Sequence, residues 1–559
     1  VPARPPPPSS DQPGVDAPAA DDAISQSGSP SEPPPSPRAN LVRSSLVYSG
    51  LTLVSRFMGF LRDLVVTARL GASLTAAADA YNTALAFPNL FRRIFAEGAF
   101  AAAFVPAYAR ALETDGEETA DQLAADALAT LAAATVAITV AAQLAMPWLM
   151  YVINPGYASD PAKFKLAVVL TQISMPYLPC MAIVALLSGV LNARGRFALS
   201  AAAPTVLNAV MLVFIFPQKD SQAAAYAASW GILAAGVLQA GLLWWGANHV
   251  GARIRLRPPR LTPEIKALIG LAIPGALAAS ATQINIFISG VLASQVAGAR
   301  SWLAVADRLY QLPLGLVGVA IGVALLPRLS RAVHAGDKAD SQAATDEAIT
   351  LSLAFSLPAA AALAAMPFFL IDGLFTRGEF TLTDAQATAR ALFHYGWGTP
   401  AFVLLRVLQP VFYARQDTKS PMRFALISVA VNIGAGLALF HLIGFEGIAA
   451  GTAIAAWLNV GQMVFALARR GDYWPSPAAM ARIGKIVIAS LAVALLMAGA
   501  SATRGWFQPL LFGSKEAAVL LTVVVGGVAY LALLFGLKAV TVTDIRGALK
   551  RSPAPAALP

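Results

Sequence analysis

Apolar stretches about as long as a bilayer is thick recur along the whole chain, and no other feature restricts its fold so strongly. Residues 128–153, 351–370 and 517–537 are examples. A helix of roughly 20 apolar residues crosses the hydrocarbon core. Only helices and closed barrels satisfy their backbone polar groups in lipid. Alternating apolar and polar strand patterns are absent, which argues against a barrel. Charged residues make up 13 % of the 559 residues, and the mean hydropathy is +0.64. A soluble domain carries about 25 % charged residues. The expected fold is therefore an all-α polytopic membrane bundle.

Gly, Pro and charge punctuate the runs into about fourteen expected spans. These are 44–70, 79–109, 121–153, 163–193, 198–217, 222–247, 263–297, 301–332, 344–371, 384–413, 420–441, 446–468, 481–502 and 516–537. Lys and Arg test this count, because they concentrate in cytoplasmic loops. With the first loop side inside, eighteen basic residues fall on that side and eight on the other. The bias predicts an even number of spans and both termini in the cytoplasm. It also accounts for the net charge of +10 without nucleic acid. Residues 1–40 are rich in Pro, Ser, Ala and Asp and read as a disordered cytoplasmic tail. They hold no apolar stretch of the kind a cleavable signal needs, so the first span is expected to direct insertion. Cys180 stands alone, which leaves no disulfide framework within the chain.

An internal repeat is visible. FVPAYARAL at 104–112 matches LLPRLSRAV at 325–333, so Pro106 pairs with Pro327 and Arg110 with Arg331. LNARGRFAL matches FYARQDTKSPMRFAL, pairing Arg194 with Arg415. Each offset is 221 residues. An even number of spans separates the copies, so the two parts share one orientation. Such parallel repeats form two lobes about an axis along the membrane normal. The expected organisation is a tail (1–40), a first lobe of six helices (41–247), a basic linker (248–262), a second lobe of six (263–470), two further helices (471–540) and a basic cytoplasmic tail (541–559).

Charges inside the spans carry the chemistry. Each costs roughly 2.5–3.5 kcal/mol at the bilayer centre on insertion scales, so it usually faces a water-filled cavity or a partner. In SRFMGFLRD, Ser55 and Arg62 share one stripe, and Arg56 and Asp63 share another about 100° away. Gly59 lies between them. In FPNLFRRIFAEGAF, Pro88 interrupts the helical ladder. Arg93 and Glu97 have the i, i+4 spacing of a local ion pair, while Arg92 lies off that stripe and is the better ligand candidate. Asp307 and Arg308 open the eighth span, and Arg406 lies in mid-span in the tenth. The bland alternative for these charges is snorkelling to the interface or an interfacial pair. Arginine forks suit phosphate and carboxylate oxygens, so the expected cargo is anionic, a phosphate or diphosphate. His249, His334, His394 and His441 show no metal spacing, and no GxxxxGK[ST] loop is present. Nothing suggests an enzyme or a bound cofactor.

The segments SRFMGFLRD, ADAYNTALAFPNLFRRIFAEGAFAAAFVP, ADRLYQLPLGLVGVAIGVALLPRLS and YARQDTKSP resemble the MurJ (MviN) lipid II flippase family of the MOP exporter superfamily. The resemblance runs from about residue 41 to 540. It implies fourteen helices, two six-helix lobes around a central cavity, and translocation of lipid II. That lipid is an undecaprenyl-diphosphate-linked disaccharide-pentapeptide, moved from the inner to the outer leaflet of the bacterial inner membrane for peptidoglycan synthesis. It implies substrate-binding roles for Ser55, Arg56, Arg62, Asp63, Arg92, Glu97 and Arg308, and gating or coupling roles for Asp79 and Asp307; the mid-span Arg406 is assigned to the same group. The last two helices would hold the lipid tail. The partners implied are lipid II and membrane lipids, with a chain functional as a monomer beside cell-wall synthesis proteins. Some relatives use a carboxylate of the seventh span in a cation site; here that span offers Gln283, Asn285 and Ser289, with Asn432 across from it. Membrane potential is therefore the expected coupling rather than a monovalent cation. The rival readings are an exporter of another anionic lipid-linked oligosaccharide or drug, a polyprenyl-phosphate transferase or phosphatase, and a scaffold for cell-wall enzymes.

Overall fold

The structure is a computed structural model that describes residues 37–93 and 100–540, with side chains at all of these except 37–49, 91–92, 101–102, 274–282, 316–327 and 334. Most of the two expected tails, and Glu97, lie outside the described residues.

Seventeen α-helices run through the described chain in order. The first eight are α1 (Pro37–Leu70), α2 (Ala76–Arg92), α3 (Phe100–Thr114), α4 (Glu117–Ile153), α5 (Pro161–Ser174), α6 (Tyr177–Ala193), α7 (Phe197–Ile215) and α8 (Ser221–His249). The rest are α9 (Pro263–Ala293), α10 (Ala299–His334), α11 (Lys338–Ala365), α12 (Pro367–Phe375), α13 (Leu382–Tyr413), α14 (Lys419–Ile443), α15 (Glu446–Arg470), α16 (Pro477–Phe507) and α17 (Lys515–Gly536). Over the described residues, nine segments are long and apolar enough to cross a membrane. Neither α1 nor α13 is among them, and both carry arginines along their length.

Two expected spans are each built from two helices. The stretch 163–193 breaks at Met175 and Pro176, where proline removes a ladder donor. The stretch 344–371 breaks at Met366, and Pro367 opens α12 at a position where a missing N–H costs nothing. Helix starts follow capping chemistry elsewhere. Asp220, Thr262, Asp337, Ser476 and Ser514 each accept a first-turn N–H, and Thr381 forms a capping box with Asp384.

In the first half α1 lies along α7, α2 along α5 and α8, and α6 between α4 and α8. In the second half α13 is central, packed by α10, α11 and α15, while α14 lies along α15. α16 runs along α11, and α17 packs on α16 and α12. The α14–α15 crossing is close. A Cβ on Gly451 would come 2.7 Å from the backbone nitrogen of Gly436. Small residues allow such backbone approach, which in lipid supplies much of the helix association. Gly451→Val should therefore force the pair apart and cost about 1–3 kcal/mol. Thermal unfolding in detergent checks this, and an unchanged midpoint would contradict the crossing.

The repeat has a three-dimensional counterpart at one end of the bundle. Arg194, after α6, donates to the Val250 carbonyl at 3.2 Å, to Asp121 at 2.9 Å and to the Tyr108 hydroxyl at 2.9 Å. Arg415, after α13, donates to the Asp472 carbonyl at 3.2 Å and to Ser341 at 3.3 Å. Each arginine thus ties one hairpin end to the end of the following helix pair. The YARQDTKSP motif completes the second clasp. Desolvation opposes ionisation of Asp417, but hydrogen bonds from Ser420 and Arg470 prevail and hold its carboxyl at about 2.

Candidate functional site

A cavity of about 580 Å³ opens between the two halves. That lies in the range of ligand pockets. α1 supplies Ser55, Arg56, Arg62 and Asp63 to its wall, and α2 ends in it at Asn89 and Arg93. From the second half come Arg308 and Gly315 of α10 and Arg406 of α13. Five arginines therefore face one carboxylate, Asp63, among the described lining residues. The charge surplus is what an anionic headgroup would neutralise.

Asp63 joins the halves. Its Oδ1 accepts from Arg62 at 2.7 Å, and its Oδ2 forms an ion pair with Arg308 Nε at 2.5 Å. The Arg308 side chain is 44 % exposed, so its remaining donors are open to the cavity. Arg56 reaches across to α10 and lies where a side chain on Gly315 would stand. The backbone of Ser55 is held by Asn208 of α7, whose amide donates to the Ser55 carbonyl at 2.9 Å. Asn208 also fills the space above Gly59.

The other expected site residues are placed differently. Arg92 closes α2, and its side chain, like Glu97, is outside the described residues. Its neighbour Arg93 lines the cavity. Asp307 is not among the residues that line the cavity; it accepts from Gln311 on its own helix, which does line it. Next to it, Tyr310 packs on Tyr395 and Phe402 of α13, at 4.8 and 5.0 Å between ring centroids. Asn432 accepts from Thr452 at 3.4 Å. Among the described residues no group of three His, Cys, Asp or Glu could hold a metal ion.

Asp79 sits at the end of the bundle that carries the α1–α2 and α9–α10 turns, and is fully buried there. It accepts from Lys163 Nζ at 2.6 Å, from the Gly298 and Ser301 amides at 2.9 and 3.2 Å, and from the Ser301 hydroxyl at 2.8 Å. The two amides are those of the N-cap and of the first turn of α10, whose dipole favours an anion. A carboxylate of the first half thus caps a helix of the second.

A second carboxylate, of the second half, binds the α1–α2 turn of the first, and sequence reasoning missed it. Asp384 of α13 accepts from the Ser73 amide at 3.0 Å, from the Ser73 hydroxyl at 2.5 Å and from the Trp302 indole at 3.0 Å. The pattern Thr381–Asp384 signals only a helix cap. Between these two carboxylates the backbones touch. The Glu379 amide donates to the Ala68 carbonyl at 2.9 Å, and Gly71, at φ +68°, faces the Glu379 carbonyl with no room for a Cβ. This end of the cavity is sealed.

Comparison with known proteins fits these features. A family model described as "Lipid II flippase MurJ" matches residues 66–513. The chain is 38 % identical over 522 residues to a "Probable lipid II flippase MurJ" of Rhizobium meliloti (strain 1021), covering 92 % of this chain and 97 % of that protein. It is 40 % identical over 528 residues to the protein of the same description from Rhizobium tropici, covering 92 % and 98 %. Among solved structures, "Lipid II flippase MurJ, inward closed conformation" superposes with a TM-score of 0.71 at 22 % identity, over 90 % of this chain and 100 % of that one. An inward-facing MATE family multidrug transporter of the MOP superfamily follows with a TM-score of 0.62 at 16 % identity, over 76 % and 98 %. At those identities the structural likeness speaks for the fold.

Proposed function

The chain belongs to the lipid II flippase MurJ family, and from that premise we propose that it moves lipid II across the bacterial inner membrane by alternating access. The observation that carries this reading is the Arg62–Asp63–Arg308 bridge, set between the halves in an arginine-lined cavity. Its role in transport follows from charge. Unpaired guanidinium groups repel one another and hold the cavity walls apart. A diphosphate entering among them replaces that repulsion with charge-assisted hydrogen bonds. The walls can then close around the headgroup, while the polyprenyl tail stays in lipid.

The end bearing Arg194, Arg415 and Arg470 is the cytoplasmic one on the positive-inside rule. Both termini are then cytoplasmic, and the end sealed by Asp79 and Asp384 faces outward. In this orientation the cavity receives its headgroup from the inner leaflet. Rocking of the two halves breaks the outer seal and releases the headgroup there. No bond in the cargo is made or broken. The apolar faces of α16 and α17 suit the tail, where Leu491, Leu495, Leu520 and Val528 are exposed. A net positive cavity moves with its charge through the membrane field, which makes membrane potential the natural coupling. The chain acts as a monomer in this reading, beside the enzymes that make and use lipid II.

The test is replacement in living cells. The host's own flippase is depleted, this chain is expressed, and lipid II in the outer leaflet is measured. Growth and outer-leaflet lipid II should be restored to near the host level. An expressed, membrane-inserted chain that restores neither would remove the assignment of the cargo.

A further inference from the structure

A second, smaller cavity opens beside the first. It measures about 200 Å³ and lies between α2, the end of α4, α9 and the start of α10. Asn89 and Arg93 line both cavities, so the two share a wall at the end of α2. Besides that shared wall its polar groups are Thr83, Gln283 and Arg300, set among Phe87, Ile286 and Phe287. Among the described residues no carboxylate lines it.

Arg300 is unusual within it. Its Nε is buried with no hydrogen-bond partner among the described residues. A buried charged donor without a partner is costly, and in native structures calls for a reason. The guanidinium is nevertheless given a built place. It packs against α9 at Gly290, where an added Cβ would come 2.5 Å from Nη2. Packing has thus reserved a position for a cation; with Nε enclosed, a ligand would meet the guanidinium through its other nitrogens. At the start of the same helix the Gly298 and Ser301 amides bind Asp79, while the Arg300 side chain lines the cavity.

We propose that this side cavity is the subsite for the stem peptide of the cargo, with Arg300 as the receptor of a peptide carboxylate. The inference rests on the reading of lipid II as cargo. A disaccharide-pentapeptide linked to a diphosphate carries anionic groups at two separated places, the diphosphate and the carboxylates of the peptide. The central cavity offers arginines to the first. The side cavity, joined to it through Asn89 and the shared Arg93, offers a further cation, Arg300, to the other. Its apolar wall of Phe87, Ile286 and Phe287 suits the short side chains of a peptide better than a sugar. A ligand on Arg300 would also be held beside the outer seal, two residues from Gly298 and one from Ser301, both of which bind Asp79.

The experiment uses the full chain in lipid nanodiscs and three ligands: lipid II, lipid II with its stem-peptide carboxylates amidated, and undecaprenyl diphosphate. Binding is measured by titration for the unaltered chain, Arg300→Gln and Gly290→Ala. The unaltered chain should bind lipid II about tenfold more tightly than the amidated form. Arg300→Gln should bind lipid II about tenfold more weakly and lose the preference, with undecaprenyl diphosphate unaffected. Gly290→Ala, which displaces the guanidinium and keeps its charge, should lose part of the preference. If Arg300→Gln does not fold, the Gly290→Ala preference decides. A chain that binds lipid II and its amidated form equally overturns the subsite alone. A chain that binds undecaprenyl diphosphate but shows no affinity for lipid II overturns the cargo reading with it.

Discussion

Arg308→Ala should leave a folded, membrane-inserted chain that no longer supports growth when the host flippase is depleted. Arg308 Nε holds Asp63 at 2.5 Å across the two halves. Removing it deletes the second half's contact with that carboxylate and one of five cavity arginines. A hydrogen bond to a charged group contributes about 1.5–3 kcal/mol, or roughly ten- to a hundredfold in affinity. The loss in transport should be larger than that in binding, because the same contact joins the halves that must move together. Arg62→Ala should show a similar defect, since Asp63 then keeps only its partner from the other half. Lipid II in the outer leaflet is the measurement, with chain abundance in the membrane as control. Growth equal to that of the unaltered chain would show that this bridge is not part of the transport path.

The second large effect is expected at the sealed end. Asp79 uses both carboxylate oxygens for four donors. Asparagine has the same shape but only one acceptor oxygen, and its amide would point donors at donors. Asp79→Asn also leaves Lys163 buried without its counter-charge. Breaking a buried pair in this way costs about 3–5 kcal/mol. The seal should therefore open more often. With Cys180 replaced by alanine and a cysteine at Asn82, maleimide labelling from outside should quicken at least tenfold in the Asp79→Asn background. Adding Lys163→Met should restore part of the slow rate, because the stranded cation is gone. Labelling unchanged by Asp79→Asn would mean that the carboxylate does not hold this end shut.

Several cavity residues were legible because a charge in an apolar run is conspicuous. Arg56, Arg62, Asp63, Arg308 and Arg406 all stand out this way, and all line the cavity. Arg93 was harder. It is one residue from Arg92, and such neighbours lie about 100° apart on a helix. Choosing between them needs the helix's actual rotation near Pro88. Asp384 was hidden, because its spacing from Thr381 explains it fully as a cap. Gly290, Gly315 and Asn208 gave no signal. Two of them matter by lacking a side chain where an arginine lies, which only the neighbouring helix reveals.

The sequence by itself determined that this chain lives in a membrane as a helical bundle, and it shows matching segments 221 residues apart. Those properties are local or periodic: an apolar run, a proline, an offset of 221 residues. Tertiary structure alone decided which charges meet and which end of the cavity is closed. Asp79 and Ser301 are 222 residues apart, and Ser73 and Asp384 are 311 apart. No periodicity specifies such pairs. They form because packing brings a buried carboxylate of one half against unsatisfied helix-start amides or donors of the other, where each satisfies what the other lacks.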